Sequence, residues 1–225
     1  MEPSALEERY ARVKAAIPAH VKLIAVSKTR TVEEIRALYA LGQRAFGENY
    51  PQELKAKAPQ LPSDIEWHFI GHLQRSNVKL VLGIAHLIHG VDSERLLDEL
   101  NKRAQTLGRP VDVLLQVHIA QEETKHGFSP EELRTRVQEP GFAEQWPGLR
   151  IHGLMGMATN TGDRAQIANE FAGLARLFKE MIASGAFPGR SFSELSMGMT
   201  GDMDLAIAAG STMVRVGTAI FGERD

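Results

Sequence analysis

The sequence predicts one (β/α)₈ barrel with an additional helix at its N-terminus, formed by residues 1–225 as a single domain. Three observations support this fold class. Eight short apolar runs alternate with segments of helical periodicity along the whole chain, which is typical of parallel βαβ units. The number of runs favours a closed barrel over an open sheet. No low-complexity linker divides the 225 residues, and barrels of this kind typically have about 250 residues.

The first predicted element is a helix at residues 5–17, ahead of the first apolar run. The eight predicted strands follow at residues 23–28, 45–49, 66–72, 86–92, 111–119, 150–157, 192–199 and 213–221. Between them, apolar residues recur at intervals of three and four, which indicates helices with one buried face. Start signals agree with this order, because Thr31, Ser93 and Ser129 stand where helix N-caps are expected. Gly108 stands where one of these helices should end.

Composition and charge exclude several classes of protein. Hydrophobic residues make up 43% of the chain and charged residues 24%, as in ordinary globular proteins. The net charge of −2 provides no overall attraction to nucleic acid or to a membrane. The chain contains no cysteine, so neither a disulfide framework nor thiolate chemistry is available. The N-terminus has neither a signal-peptide core nor a membrane span, and we expect a cytoplasmic protein.

Lys28 stands at the end of the first apolar run, in the segment LIAVSKTRT. Side chains at the carboxyl ends of barrel strands surround the active site in this fold. A lysine at a strand end can simply be solvated, but the apolar run fixes this one on a rigid central strand. A free lysine, with a pKa near about 10.4, is a poor nucleophile until desolvation or nearby cations lower that pKa. A barrel mouth can provide both, so the pattern points to a lysine that forms a Schiff base.

Two glycine-containing turns follow or end the last two predicted strands, at residues 196–201 and 217–218. Glycine allows backbone N–H groups to approach an anion closely, and Ser196 and Thr218 add hydroxyl groups. The loops after strands 7 and 8 commonly hold phosphate in such barrels. No GK[ST] follows the glycines, so a Walker A site is excluded. Together with Lys28, the turns predict a site for a phosphorylated aldehyde.

Four segments carry a resemblance to a known family: AVSKTRT, FGENYPQE, WHFIGHLQRSN and LSMGMTGDMDLAIAAGSTMVRVGTAIFG. In this order, and over nearly the whole chain, they resemble the pyridoxal phosphate homeostasis protein family. That family is similar to the barrel domain of alanine racemase without its second domain. The resemblance implies that the chain binds pyridoxal 5′-phosphate (PLP) and buffers or delivers this cofactor inside the cell.

The same resemblance implies seven cofactor-binding residues, which are Lys28, Asn49, His72, Ser196, Arg215, Gly217 and Thr218. Lys28 would hold PLP as a Schiff base, and the residues of the two C-terminal turns would hold its phosphate. Arg215 would lie near the pyridine ring, and the residues at the ends of strands 2 and 3 would face the pocket. His118 departs from the family, in which we expect asparagine at this position.

Arg215 also supports a physical argument of its own. Side chains alternate between two faces in the buried segment MVRVG, so the guanidinium points into a space where an unpaired charge is unfavourable. It would either pair with a carboxylate such as Asp202 or Asp204, or donate to the pyridine nitrogen of PLP. In the second case its permanent charge keeps that nitrogen unprotonated. The ring is then a weaker electron sink for carbanion chemistry.

The histidines do not predict a metal site. His68 and His72 have the spacing of a helical zinc pair, but their segment EWHFIGH is predicted as a strand. On a strand they would lie about 13 Å apart at 3.3 Å per residue, too far to share one ion. His86 and His89 would face opposite sides of strand 4. We therefore expect no metal ligands, and we assign no catalytic residue.

Three functions remain open on these residues. The first is a PLP-binding protein without strong catalysis of its own, with apo-forms of PLP-dependent enzymes as partners. The second is a PLP-dependent amino-acid racemase, which would need a base on each face of the cofactor. We expect no second domain to supply one, since the chain ends at Asp225, directly after strand 8. The third is an aldolase in which Lys28 attacks a sugar phosphate. We favour the first and expect a monomer.

Overall fold

The computed structural model describes residues 4–122, 126–187 and 192–223, and Asp225 lies outside these ranges. Its strands are β1 Lys22–Val26, β2 Ala45–Glu48, β3 Glu66–Phe69, β4 Leu87–Val91, β5 Val111–Val117, β6 Leu149–Gly156, β7 Glu194–Ser196 and β8 Met213–Val216. They pair in parallel in chain order, and β1 pairs with β8 to close the barrel. The predicted (β/α)₈ fold is confirmed.

The α-helices in the described part of the chain are α1 Ala5–Ala15, α2 Val32–Ala40, α3 Pro51–Lys57, α4 Val78–Val81, α5 Glu94–Leu107, α6 Pro130–Arg136, α7 Arg164–Ala183, α8 Met203–Ala208 and α9 Thr218–Phe221. Short 3₁₀ helices cover Ala58–Gln60, Arg75–Asn77 and Ala143–Gln145. Helix α1 is the predicted additional N-terminal helix. Its Arg9 donates to the carbonyl oxygens of Ile220 and Phe221 at 2.8 and 3.2 Å, which fastens α1 to α9. None of the helices described has the length and apolar character of a membrane span.

The predicted helix signals are present in the structure as capping contacts. Thr31 and Ser129 each form a capping box, with Glu34 and Glu132 respectively. Such an N-cap stabilises a helix by about 1 kcal/mol. Ser93 occupies the N-cap position of α5 without a side-chain capping bond. Gly108 ends the same helix with a left-handed φ of 70°, a backbone conformation that glycine adopts without strain.

The predicted strands run too far at their carboxyl ends. Strand β1 ends at Val26 rather than at Lys28, and β3 ends at Phe69 rather than at His72. The last predicted strand, 213–221, is wrong beyond residue 216, because Thr218–Phe221 is helix α9. Its residues Ile220 and Phe221 are buried, and a short apolar run looks the same in sequence whether it is buried on a helix or on a strand.

The core has two parts, separated by the barrel wall. The larger part lies between strands and helices and includes Phe46, Leu97 and Phe171. A smaller cluster takes one buried residue from each of six strands and none from a helix, so it fills the barrel interior: Ile24, Ala45, Leu87, Leu114, Met155 and Met213. His89 and Arg215 follow the β4 and β8 members of this cluster by two residues. They therefore share its inward face and form a polar layer nearer the carboxyl ends.

Candidate functional site

A cavity of about 300 Å³ opens at the carboxyl ends of the barrel strands. This volume lies at the lower end of the range for small-molecule sites, which is about 300–1,000 Å³. Five of the seven residues predicted from the sequence line it, namely Lys28, Asn49, Arg215, Gly217 and Thr218. The residues that follow β1, β2 and β8 therefore meet around one space, as the barrel topology predicts.

Three of the other lining residues were not singled out from the sequence, although each lies in or near a segment that was. Thr200 and Gly201 line the cavity, and both lie within the glycine-containing turn at residues 196–201. Arg30 also lines it, two residues beyond Lys28. The guanidinium of Arg30 donates to the carbonyl oxygen of Gly222 at 2.5 Å and lies 5.5 Å from the ring centre of Phe221. Arg30 thus ties the loop after β1 to the end of the described chain.

Lys28 lies in a tight turn directly after β1, and its side chain is half-buried. The turn is closed by a hydrogen bond of 3.0 Å from the backbone N–H of Arg30 to the carbonyl oxygen of Ser27. Thr29 has a φ of 62°, which is uncommon for a β-branched residue. Such a conformation costs about 1–3 kcal/mol and persists only where the surroundings enforce it. One such restraint is visible, because the Thr29 N–H donates to Glu53 Oε2 at 2.7 Å.

A buried ion cluster supports this turn from below. The ammonium of Lys57 lies 3.0 Å from Glu48 Oε1 and 2.6 Å from Glu53 Oε2, and it donates to the carbonyl oxygen of Ser27 at 2.9 Å. The Ser27 hydroxyl donates to Glu48 at 2.7 Å. The Glu48 side chain is fully buried, and burial raises its pKa despite the opposing charge of Lys57. The cluster joins the ends of β1 and β2, where Lys28 and Asn49 begin the cavity wall.

Asn49 presents an unsatisfied acceptor at the cavity. Its Oδ1 is buried and has no hydrogen-bond partner among the described residues. Buried polar atoms are nearly always paired, so this oxygen indicates a missing donor. The backbone of Asn49 is held by close packing, since a Cβ built on Gly71 would lie 2.2 Å from the Asn49 carbonyl oxygen. Asn49 therefore has a fixed position and one free acceptor.

Arg215 places a buried cation at the floor of the cavity. The residue is only 4% exposed, and burial lowers its pKa to about 10, with Asp202 opposing the shift. It remains protonated at neutral pH. Its guanidinium donates to Ser196 Oγ at 2.7 Å and to the carbonyl oxygen of Gly156 at 3.1 Å. Asp204, one of the two carboxylates considered as partners, pairs instead with an arginine of α7.

The hydrogen bonds of Arg215 continue as a chain through the barrel interior. His89 Nδ1 lies 2.9 Å from Ser196 Oγ, and His89 Nε2 lies 2.8 Å from His68 Nδ1. Burial lowers the pKa of each histidine well below its ordinary value, so both rings are neutral. Because an arginine can only donate, Ser196 Oγ accepts from Arg215. The Ser196 hydroxyl then donates to His89 Nδ1, so that the ring proton of His89 is on Nε2. His89 Nε2–H then donates to His68.

Ser196 is therefore placed differently from the sequence prediction. It was expected to hold phosphate, but it is fully buried in β7 and its hydroxyl joins Arg215 to His89. The histidine chain itself was not predicted, because His68 and His89 lie on different strands, and the pairing of β3 with β4 brings their rings together. In this arrangement the Ser196 hydroxyl helps to orient the guanidinium of Arg215.

We expect Ser196→Ala to lower the free energy of unfolding by about 1–3 kcal/mol, since it leaves a buried arginine N–H and a histidine nitrogen unpaired. Urea unfolding of the purified protein measures this change. Ser193→Ala is the matched control, because Ser193 is exposed and its hydroxyl donates to its neighbour Glu194; it should change stability by less than about 0.5 kcal/mol. Equal stability of the two variants would contradict the interior chain.

His72 also lies apart from its predicted position. It was expected to face the pocket at the end of strand 3, but it stands beyond the end of β3, is 45% exposed, and is not one of the cavity-lining residues. Its Nδ1 lies 2.9 Å from Asp92 Oδ2. His118, the departure from the family pattern, lines a second cavity instead and bonds to the carbonyl oxygen of Glu122 at 2.9 Å.

Comparison with known proteins shows the class to which the chain belongs. A family model of the alanine racemase N-terminal domain matches residues 1–225, so the barrel is of the alanine racemase type. The pyridoxal phosphate homeostasis protein of Haemophilus influenzae is 41% identical over 208 residues, which are 91% of this chain and 86% of the relative. The human protein of the same name is 39% identical over 231 residues, 98% of this chain and 83% of the relative. The chain belongs to the pyridoxal phosphate homeostasis protein family.

Solved structures share the same fold. PipY of Synechococcus elongatus without PLP superposes with a TM-score of 0.89 at 38% identity, covering 96% of this chain and 99% of PipY. The PLP-bound form of PipY gives 0.85 at 36% identity, covering 96% and 100%. Alanine racemase from Bartonella henselae shares the fold, with a TM-score of 0.74 at 18% identity over 97% of this chain and 58% of the racemase.

Proposed function

We propose that this protein binds PLP covalently through Lys28 and serves PLP homeostasis, by buffering the cofactor and delivering it to apo-enzymes. The observation that carries this proposal is the meeting of Lys28, Asn49 and Arg215 with the Gly217–Thr218 turn around one cavity. Both the family and the PLP-bound state of PipY support it. The lining residues are consistent with it, because they bring together an amine nucleophile, a buried cation and a turn that can bind an anion.

The lining residues fit the chemical groups of PLP. Lys28 would bind the aldehyde carbon through Nζ. The hydroxyls of Thr200 and Thr218, with the backbone N–H groups near Gly201 and Gly217, offer the donors that a phosphate requires. A Cβ built on Gly201 would meet nothing within 4 Å, so backbone can approach an anion at that point. The unsatisfied Asn49 Oδ1 would accept from a bound group.

Arg215 is the residue that would face the pyridine nitrogen. PLP, when bound, supplies an electron sink whose strength depends on protonation of that nitrogen. Arg215 keeps its proton at neutral pH even with a pKa of about 10, so it can donate to the nitrogen but not transfer a proton to it. The chain through Ser196 and His89 holds the guanidinium in this orientation. Such a site would bind PLP well while supporting little carbanion chemistry.

We further propose that the protein has no strong catalytic activity of its own. Racemisation needs groups that take and return a proton on both faces of the reacting carbon. The ionisable side chains that line the cavity in the described part of the chain are Lys28, Arg30 and Arg215. The two arginines remain charged near neutral pH, which leaves Lys28 as the proton-transferring group. Tyr50, which directly follows Asn49, is 50% exposed and is not one of the cavity-lining residues.

Transfer of PLP to an acceptor tests the function. We expect the PLP-loaded protein to restore activity to an apo-form of a PLP enzyme, while alanine and serine are racemised far more slowly than the ordinary enzyme range of about 1–10³ s⁻¹. A coupled activity assay follows the acceptor, and chiral chromatography follows the amino acids. Lys28→Ala taken through the same loading and desalting steps is the unloaded control.

The outcomes separate the two functions. Racemisation at ordinary enzyme rates that disappears in Lys28→Ala would establish a racemase in place of a PLP carrier. Failure to restore the acceptor, in a preparation shown by its absorbance to be loaded with PLP, would contradict delivery while leaving the binding site intact.

A further inference from the structure

Three side chains that can ligate a metal ion meet at the carboxyl end of the barrel, outside the cavity. His72 follows β3, Asp92 follows β4, and His126 lies in the segment after β5. One ligand atom from each lies within 4.8 Å of those of the other two. We refer to these three residues as the His–Asp–His cluster.

The contacts within the cluster hold its ligand atoms together. His72 Nδ1 lies 2.9 Å from Asp92 Oδ2, and the rings of His72 and His126 stack with centres 4.2 Å apart. The second Asp92 oxygen accepts from the Ser93 hydroxyl at 3.1 Å, and Gln116 donates to the carbonyl oxygen of His126 at 2.8 Å. Supporting bonds of this kind orient metal ligands in known sites.

The three side chains of the cluster differ in exposure, so that an ion could reach them from solvent. The Asp92 side chain is only 10% exposed, whereas that of His72 is 45% exposed and His126 is exposed as well. A fixed carboxylate therefore lies below two imidazoles that solvent can reach. The exposed rings can turn to place a nitrogen on an ion without any movement of the barrel.

We propose that the His–Asp–His cluster binds a divalent transition metal ion, for which zinc is the best match. Two imidazoles and one carboxylate are a common zinc ligand set, completed by water in a fourth position. Neighbouring ligands on tetrahedral zinc lie about 3.3 Å apart, given bonds of 2.0–2.2 Å. The His72–Asp92 distance of 2.9 Å is close to this value, and the three ligand atoms lie within 4.8 Å of one another. Binding would replace the His72–Asp92 hydrogen bond, and a neutral His72 that ligates through Nδ1 would carry its ring proton on Nε2.

The sequence predicted no metal ligands because it compared only histidines close together along the chain. In a barrel, the ends of successive strands are neighbours although some twenty or more residues separate them. His72, Asp92 and His126 come from three such ends. A shared ion would cross-link these three segments, independently of the cavity that contains Lys28.

The test measures zinc binding to the full-length, untagged protein by competition with a chromophoric chelator, with and without PLP. We expect one zinc per chain, with the same affinity in both states. Asp92→Asn and His126→Ala should each weaken binding by about tenfold or more, since even residues that only support a ligand contribute tenfold to a hundredfold. Zinc at a hundred times its dissociation constant should raise Tm by about 5–10 °C.

His20→Ala is the matched control, because His20 is exposed in the loop before β1, at the opposite end of the barrel. It should bind zinc like the wild type. Loss of zinc binding in His20→Ala, or unchanged binding in both Asp92→Asn and His126→Ala, would overturn the proposed site. His72→Ala adds a second readout: weakened zinc binding with unchanged PLP absorbance supports a metal ligand, whereas loss of PLP with unchanged zinc binding overturns it.

Discussion

Replacing Lys28 with alanine is expected to abolish covalent attachment of PLP, so that the purified variant lacks the yellow colour expected of the wild-type protein. Lys28 is the lysine that lines the cavity in the described part of the chain. The tight turn after β1 places its half-buried side chain at the cavity. Borohydride reduction followed by peptide mass mapping should place a pyridoxyl group on Lys28 in the wild type and on no lysine in the variant.

The loss should occur without unfolding, because the side chain is only half-buried and the turn is held by backbone contacts of Thr29 and Arg30. We expect a melting curve close to that of the wild type. Lys102→Ala, at an exposed position of α5, is the control and should keep both colour and label. A Lys28→Ala protein that still carries one pyridoxyl group after reduction would show that another lysine holds the cofactor.

Replacing Lys57 with methionine is expected to lower the free energy of unfolding by about 3–5 kcal/mol at neutral pH, which is the usual effect of removing one partner of a buried ion pair. Glu48 is fully buried, and its Oε2 already lacks a hydrogen-bond partner among the described residues. Without Lys57, its charge would keep only the Ser27 hydroxyl as a partner. Chemical denaturation, with methionine of similar length filling the space, measures the change.

The deficit of Lys57→Met should depend on pH in a defined direction. Burial raises the pKa of Glu48 in the folded protein above its ordinary value of 4.5, and loss of the lysine raises it further. A carboxyl whose pKa is raised by folding destabilises the protein above that pKa, where it is charged in both states. The deficit should therefore shrink as the pH falls from neutral towards the ordinary value.

Two further variants separate charge burial from simple loss of packing. Adding Glu48→Gln to Lys57→Met removes the isolated charge, and we expect it to restore most of the lost stability. Lys55→Met changes an exposed lysine of the same helix and should shift stability by less than about 0.5 kcal/mol. A double variant as unstable as Lys57→Met would attribute the effect to packing rather than to the charge of Glu48.

The fold could be predicted from the sequence because its signals are local. Alternating apolar runs and helical periodicity predicted eight strands, and the capping boxes at Thr31 and Ser129 were visible as residue types three positions from a glutamate. Strand ends were less predictable. Beyond β1, β3 and β8 the chain continues with buried or half-buried residues such as Ser27, Ile70 and Ile220, and pattern alone does not separate such residues from the strand itself.

The residues of the candidate site were also predictable from the sequence only in part. Lys28 and the Gly217–Thr218 turn were predicted from their places at the ends of predicted strands, which face the same mouth in a parallel barrel, and Asn49 was predicted from the family resemblance. Ser196 also ends a strand, but β7 stops there with its side chain turned into the interior. Side chains alternate between the two faces of a strand. Whether the last side chain points into the barrel interior therefore depends on the residue at which the strand ends, and pairing with a neighbouring strand determines that residue.

The sequence by itself determined the order of elements, the lysine that ends the first apolar run, and the turns of small residues in the last part of the chain. Only the tertiary structure decided which charges are isolated and which are paired. Arg215 reaches His68 through Ser196 and His89, Lys57 reaches Glu48, and the His–Asp–His cluster assembles from three loops. The physical reason is the packing of the barrel, which brings residues far apart in sequence within hydrogen-bond distance and, in its interior, removes the water that would otherwise screen charges.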